Sequence, residues 1–249
     1  MMELVLTNLL LIALGGCLGS FASMLIYRLP LENSEINILW PRSFCPLCKN
    51  QLTIMQLIPF VGYLYSKGVC RTCNAKISPN YFIHEVLITA FIILIFYKME
   101  FTDLSSWLIV LIVICMYIQS IIDVQTLHLF QPLSIILVIA GLCLNISTEF
   151  FTMPLDALHG ECFGNGLLLC RMHVRNMRGS RDGIGSGDFL LLAGIGSVFG
   201  ASAIGPILLI GSSITLCLYL FNKNKDKELP LGFGLGLAGI VYCLMFIYI

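Results

Sequence analysis

From Phe189 to Phe221 the chain carries no charged side chain. At about 1.5 Å of rise per residue, a helix of that length overshoots a hydrocarbon layer about 30 Å thick, whereas two shorter helices fit it. Gly205–Pro206 is the natural turn between them. Leu4–Ile26, Tyr81–Tyr97, Leu104–Ile122 and Leu127–Asn145 each come near the roughly 20 apolar residues that a transmembrane helix needs. Leu231–Ile249 is a glycine-rich fifth segment of the same kind. Charged residues make up 11% of the 249, against about 25% in a typical soluble domain, so most of the chain meets something other than water. The formal net charge is zero, so a broad electrostatic surface for nucleic acid is not supported and no nucleic-acid partner is expected. The apolar run in Met1–Ile26 has no basic n-region before it and no small-x-small cleavage site after it, so a retained first span is expected.

Basic residues supply the orientation. Arg28, Arg42, Lys49, Lys67, Arg71 and Lys76 fall in residues 28–80, and Arg171, Arg175, Arg178 and Arg181 in residues 171–186. Lys223, Lys225 and Lys227 fall in residues 222–229, and Lys98 alone lies elsewhere. Cytoplasmic loops collect Lys and Arg, so all three segments are placed on that side. An even number of spans must then separate each pair. Four crossings are required between residues 81 and 170, which recruits the polar segment Leu155–Cys170 as a span, and two between 187 and 221. The expected architecture is an all-α polytopic bundle of about eight transmembrane helices. It has a first span at 1–27, a small cytoplasmic insertion at 28–80 and a multi-span core at 81–249. No repeats or long linkers are evident.

Ionisable residues at the borders of spans are costly and default to functional candidates. Asp123 closes the third span and Asp188 opens the sixth, so both are expected at the cytoplasmic border. Two carboxylates within a few ångströms share one proton, leaving one to activate water and the other to polarise a scissile carbonyl. Gly185 and Gly187 beside Asp188 allow close approach of an extended substrate to the backbone. The bland alternatives are helix capping, for which Asp is common, and an ion pathway. Glu85 also lies near the cytoplasmic end of its span, Asp156 and Glu161 lie toward the outer half, and Asp182 belongs to the basic loop. His128 stands on an apolar stretch with no motif around it and reads as structural.

Of the eleven cysteines, Cys17, Cys115, Cys143, Cys217 and Cys243 lie in apolar stretches and behave as small hydrophobes. Cys162 and Cys170 carry no pattern. Cys45-Pro46-Leu47-Cys48 and Cys70-Arg71-Thr72-Cys73 form a C-x2-C…C-x2-C arrangement, which points to a structural zinc ion, each pair clamping two tetrahedral positions. Disulfides are the alternative, disfavoured in a reducing compartment. A metal would substitute for the apolar core that the small insertion lacks.

At these residues the chain resembles the bacterial type IV prepilin peptidases, members of the GxGD class of membrane aspartic proteases. The resemblance runs from Gly19-Ser20-Phe21 and Tyr27-Arg28-Leu29-Pro30 through the double CxxC insertion to Ile77-Ser78-Pro79 and Glu85. It continues with Asp123 and Pro132, Gly185-Ser186-Gly187-Asp188, Leu191-Leu192-Ala193 and Pro230-Leu231-Gly232-Phe233-Gly234. Leu190 stands where members usually carry a lysine. The resemblance implies that Asp123 and Asp188 are the catalytic pair. It implies that prepilins and pseudopilins are substrates, cut after a glycine at the cytoplasmic face of the bacterial inner membrane, in type IV pilus or type II secretion systems. It also implies N-methylation of the new amino terminus with S-adenosylmethionine, for which the sequence holds no independent motif. An ion- or proton-coupled transporter using the same aspartates is the rival expectation, and a non-catalytic assembly subunit a third.

Overall fold

The computed structural model describes residues 2–31, 36–178, 186–221 and 229–249. Among them the chain is helical, with ten helices and no strand. Contacts divide it into two compact units, Met1–Tyr97 and Lys98–Ile249.

The first unit holds α1 (Met2–Arg28), the short α2 (Ile54–Leu57) and α3 (Val61–Tyr65), and α4 (Asn80–Lys98). α1 lies close on α4 because glycines face it. A Cβ on Gly15 would meet Thr89, and one on Gly19 would meet the Glu85 backbone. The end of α1 is tied to the following loop by Arg28. Its guanidinium donates to the carbonyls of Asn37 (2.8 Å), Ile38 (3.2 Å) and Pro41 (2.7 Å).

The second unit holds α5 (Leu104–Thr126), α6 (Gln131–Thr148), α7 (Pro154–Arg178), α8 (Ser186–Phe199), α9 (Ala201–Phe221) and α10 (Leu231–Tyr248). α8 is its centre, buried almost throughout and packed on α6 and α7, while α10 packs on α9 and α5. At one pole the C-terminal ends of α6 and α8 meet the start of α7. There the buried Asn145 donates to the carbonyls of Ser197 (3.0 Å) and Val198 (2.8 Å). Its Oδ1 accepts the N–H groups of Phe151 (3.2 Å) and Thr152 (3.3 Å). Phe151 is the hub of an aromatic cluster here, its ring 4.9 Å from Phe199 and 5.0 Å from Phe246.

Six helices are long and apolar enough to cross a membrane: Val5–Arg28, Asn80–Lys98, Leu104–Thr126, Gln131–Thr148, Ala201–Phe221 and Leu231–Tyr248. At the positions of the other two expected spans stand α7, which is too polar to qualify, and α8, whose described part is apolar but short. α7 runs on to Arg178, past the Cys170 end expected for its span and into the expected basic loop, and two helix breaks also differ from expectation. The segment expected at Leu127–Asn145 starts at Gln131, because Leu127 ends α5 in the left-handed conformation (φ 57°) and residues 128–130 form a link. The break expected at Gly205–Pro206 lies instead at Gly200, whose φ of 83° suits a left-handed helix terminator. Pro206 sits inside α9, where it removes a single intrahelical hydrogen bond.

Candidate active site and metal centre

The opposite pole of the second unit gathers the end of α5, the 127–130 link and the starts of α8 and α10. Asp123, in the last turn of α5, is 4% exposed, and its Oδ2 accepts the Phe233 N–H at 2.9 Å. Phe233 is in the first turn of α10, whose cap position is Pro230, a residue with no side-chain acceptor. Gly232 permits the approach, since a Cβ there would stand 3.0 Å from Asp123 Oδ2 and 2.9 Å from Leu129. Asp188 is partly buried in the first turn of α8. Its neighbour Gly187 abuts the same Leu129, with a virtual Cβ 2.7 Å from the leucine Cβ. Leu129 thus touches both the glycine that precedes Asp188 and the glycine that backs Asp123. The two carboxylates are brought to one pole of the bundle, although they stand far apart in sequence.

Gly185 and Asp182 lie outside the described residues, as do parts of the basic loops. Asp156 is at the other pole, where it accepts the Thr152 hydroxyl at 2.9 Å. His128 is exposed in the link, its Nδ1 2.9 Å from the Thr126 carbonyl oxygen.

Three neighbours of Asp123 escaped sequence reasoning. Leu129 looks like any span residue, and Gly232 and Phe233 were marked only as part of a proline-glycine entry to a helix. Gln119, one turn before Asp123 and 0% exposed, is a buried polar side chain on the same helix. Its Oε1 accepts the Ser134 hydroxyl at 3.1 Å, while its Nε2 has no partner among the described residues. A glutamine inside an apolar run was the available signal.

In the first unit the four insertion cysteines come together, their sulfur atoms all within 4.8 Å of one another. Cys45 and Cys73 sulfurs are 3.9 Å apart, as are those of Cys48 and Cys70. Metal–sulfur bonds of about 2.3 Å in a tetrahedron set the sulfurs about 3.8 Å apart, so the cluster fits one metal ion. The two halves repeat one fold with an offset of 25 residues, a short internal repeat that the sequence reading missed. Cys45 N–H donates to Asn50 O and Cys70 N–H to Ala75 O, and Lys49 and Asn74 occupy the matching left-handed positions. Bridges Phe44–Gln51 and Val69–Lys76 close each half. Backbone N–H groups of Cys73 and Thr72 directed at the Cys70 sulfur hold its pKa down to about 6, which favours the thiolate that metals require. All eleven cysteines are free thiols.

These features define a polytopic helical membrane protein with a four-cysteine cluster that could hold a metal ion in the segment after its first span. Family models agree with both parts: the bacterial peptidase A24 N-terminal domain matches residues 13–99, and the type IV leader peptidase family residues 109–221. The chain is 35% identical over 202 residues to a prepilin leader peptidase/N-methyltransferase of Klebsiella pneumoniae, covering 80% of this chain and 87% of that one. Proteins of the same description from Pectobacterium carotovorum subsp. carotovorum (28%, covering 80% and 77%) and Neisseria gonorrhoeae (29%, covering 81% and 77%) are also similar. No solved structure matches the chain. The chain belongs to the type IV leader peptidase family.

Proposed function

We propose that the protein removes the leader of type IV prepilins and pseudopilins after a glycine and N-methylates the amino terminus it creates. The observation that carries this reading is 35% identity, over most of both chains, to a protein described by both activities. Nothing among the relatives favours the transporter alternative. In this reading Asp123 and Asp188 share one proton. The ionised carboxylate takes a proton from water as it attacks the scissile carbonyl, and the protonated one donates to the carbonyl oxygen. Gly187 lets the backbone beside Asp188 close on Leu129, and the lack of a side chain at Gly185 allows an extended substrate to lie against the chain. Residues 28–80 form the metal-bound insertion, with one structural zinc ion held by Cys45, Cys48, Cys70 and Cys73. Residues 81–249 form the peptidase core behind the first span at 1–27. The site lies at the cytoplasmic face of the bacterial inner membrane, in keeping with the basic loops. S-adenosylmethionine, when bound, supplies the methyl group.

The test is to co-express a prepilin in cells lacking any other such peptidase and to read the mature N-terminus by mass spectrometry. Cleavage after glycine with an added methyl group is expected from the native chain. Asp123→Ala and Asp188→Ala are each expected to insert normally and to leave the leader in place. Normal processing by either variant defeats the assignment of the pair.

A further inference from the structure

The first unit contains a pocket bounded by α1, α4 and the insertion, and its wall combines one acid with several aromatic rings. Glu85 lines it together with Tyr27, Tyr63, Tyr81 and Phe82. Glu85 is 9% exposed, and its Oε2 accepts the Phe60 N–H at 2.7 Å. Phe60 holds that amide in place from a strained backbone (φ 62°, ψ −53°), an arrangement a bulky residue seldom adopts. The Tyr63 and Phe82 rings stack at 5.5 Å, and Phe82 meets Phe60 edge-on at 6.2 Å. The basic residue in the wall, Arg28, is engaged by three loop carbonyls. Among the described residues no cationic side chain pairs with Glu85, whose recorded partners are backbone and hydroxyl groups. A buried carboxylate costs free energy unless something of opposite charge meets it.

A carboxylate set among aromatic faces suits a weakly hydrated organic cation. We infer that this pocket receives the sulfonium end of S-adenosylmethionine, with Glu85 as its counter-charge and the tyrosine and phenylalanine rings as its walls. The inference rests on the N-methyltransferase reading above and gives that activity a place. In the transfer, the lone pair of the substrate's neutral α-amino nitrogen forms a bond to the methyl carbon. The C–S bond breaks, its electron pair stays on sulfur, and the methylated ammonium loses a proton to water. The product is a neutral thioether, so the attraction to Glu85 ends with the reaction and product leaves more readily than donor.

The free ammonium of a cleaved substrate is a second source of the same kind of charge, and the test separates them. Binding of S-adenosylmethionine, S-adenosylhomocysteine and a short peptide with a free amino terminus is measured by calorimetry on the full-length protein in nanodiscs. The native protein is expected to prefer the sulfonium donor over the neutral thioether by about tenfold, the scale of one desolvated charge contact. Glu85→Gln is expected to bring the two ligands to within about twofold by weakening the donor alone, its thioether binding serving as the control for folding. A variant that keeps the preference, or that loses both ligands in parallel, overturns the role of Glu85. Loss confined to the peptide overturns the donor assignment. If the native protein binds neither adenosyl ligand, the methyltransferase reading falls with it. If Glu85→Gln does not fold, Tyr81→Leu replaces it, and an unchanged preference for the donor overturns the proposal.

Discussion

Asp123 serves a helix start that cannot serve itself. Pro230 stands at the cap position of α10 with no side-chain oxygen, and the carboxylate of a neighbouring helix accepts the Phe233 N–H in its place. Capping and chemistry are therefore separable. Asp123→Asn retains an oxygen for the amide and is expected to melt within about 0.5 kcal/mol of the native protein while losing leader removal. Asp123→Ala is expected to lose leader removal and also about 1 kcal/mol of stability, the usual worth of a cap. A thermal melt in detergent beside a cleavage assay checks both, and an Asn variant that still cleaves leaves Asp123 with capping alone. At the other pole Asn145 satisfies two carbonyls and two amides from inside the protein. Asn145→Ala strands them, and a loss of about 2–3 kcal/mol is expected in the same melt.

At the scale of elements, hydropathy located the apolar helices but could not see what holds a polar one. α7 packs on α8 through Gly160 and Gly164, a small-xxx-small pair whose virtual Cβ atoms run into the Gly196 and Ala193 backbones. Parity of the basic loops called for a helix there, and this close contact is what binds it. Gly164→Leu has no room and is expected to cost at least about 3 kcal/mol, read as a lower melting temperature and poor recovery from the membrane. The α8–α9 break was misplaced because Gly-Pro is the stronger local turn signal, whereas the fold needed a left-handed residue directly after Phe199. The types of the two carboxylates and four thiols were legible from their positions. That Leu129 touches both Gly187 and Gly232 was not, since contacts between distant helices leave no local pattern. The four-cysteine cluster makes its own prediction: purified protein is expected to hold about one zinc per chain. Cys45→Ser with Cys70→Ser is expected to remove it and to open residues 36–80 to limited proteolysis.

For the molecule as a whole, the placement of its central helix matters. α8 is packed on α6, α7, α9 and α10, and its Phe199 end is fixed in the aromatic cluster. Near its other end Gly187 rests on Leu129. The helix that carries Asp188 is thus held by protein on several sides and keyed by side chains at both ends of its described length. An acid mounted on so firmly gripped a rod cannot swing out to meet a peptide, so it is the substrate that has to travel into register.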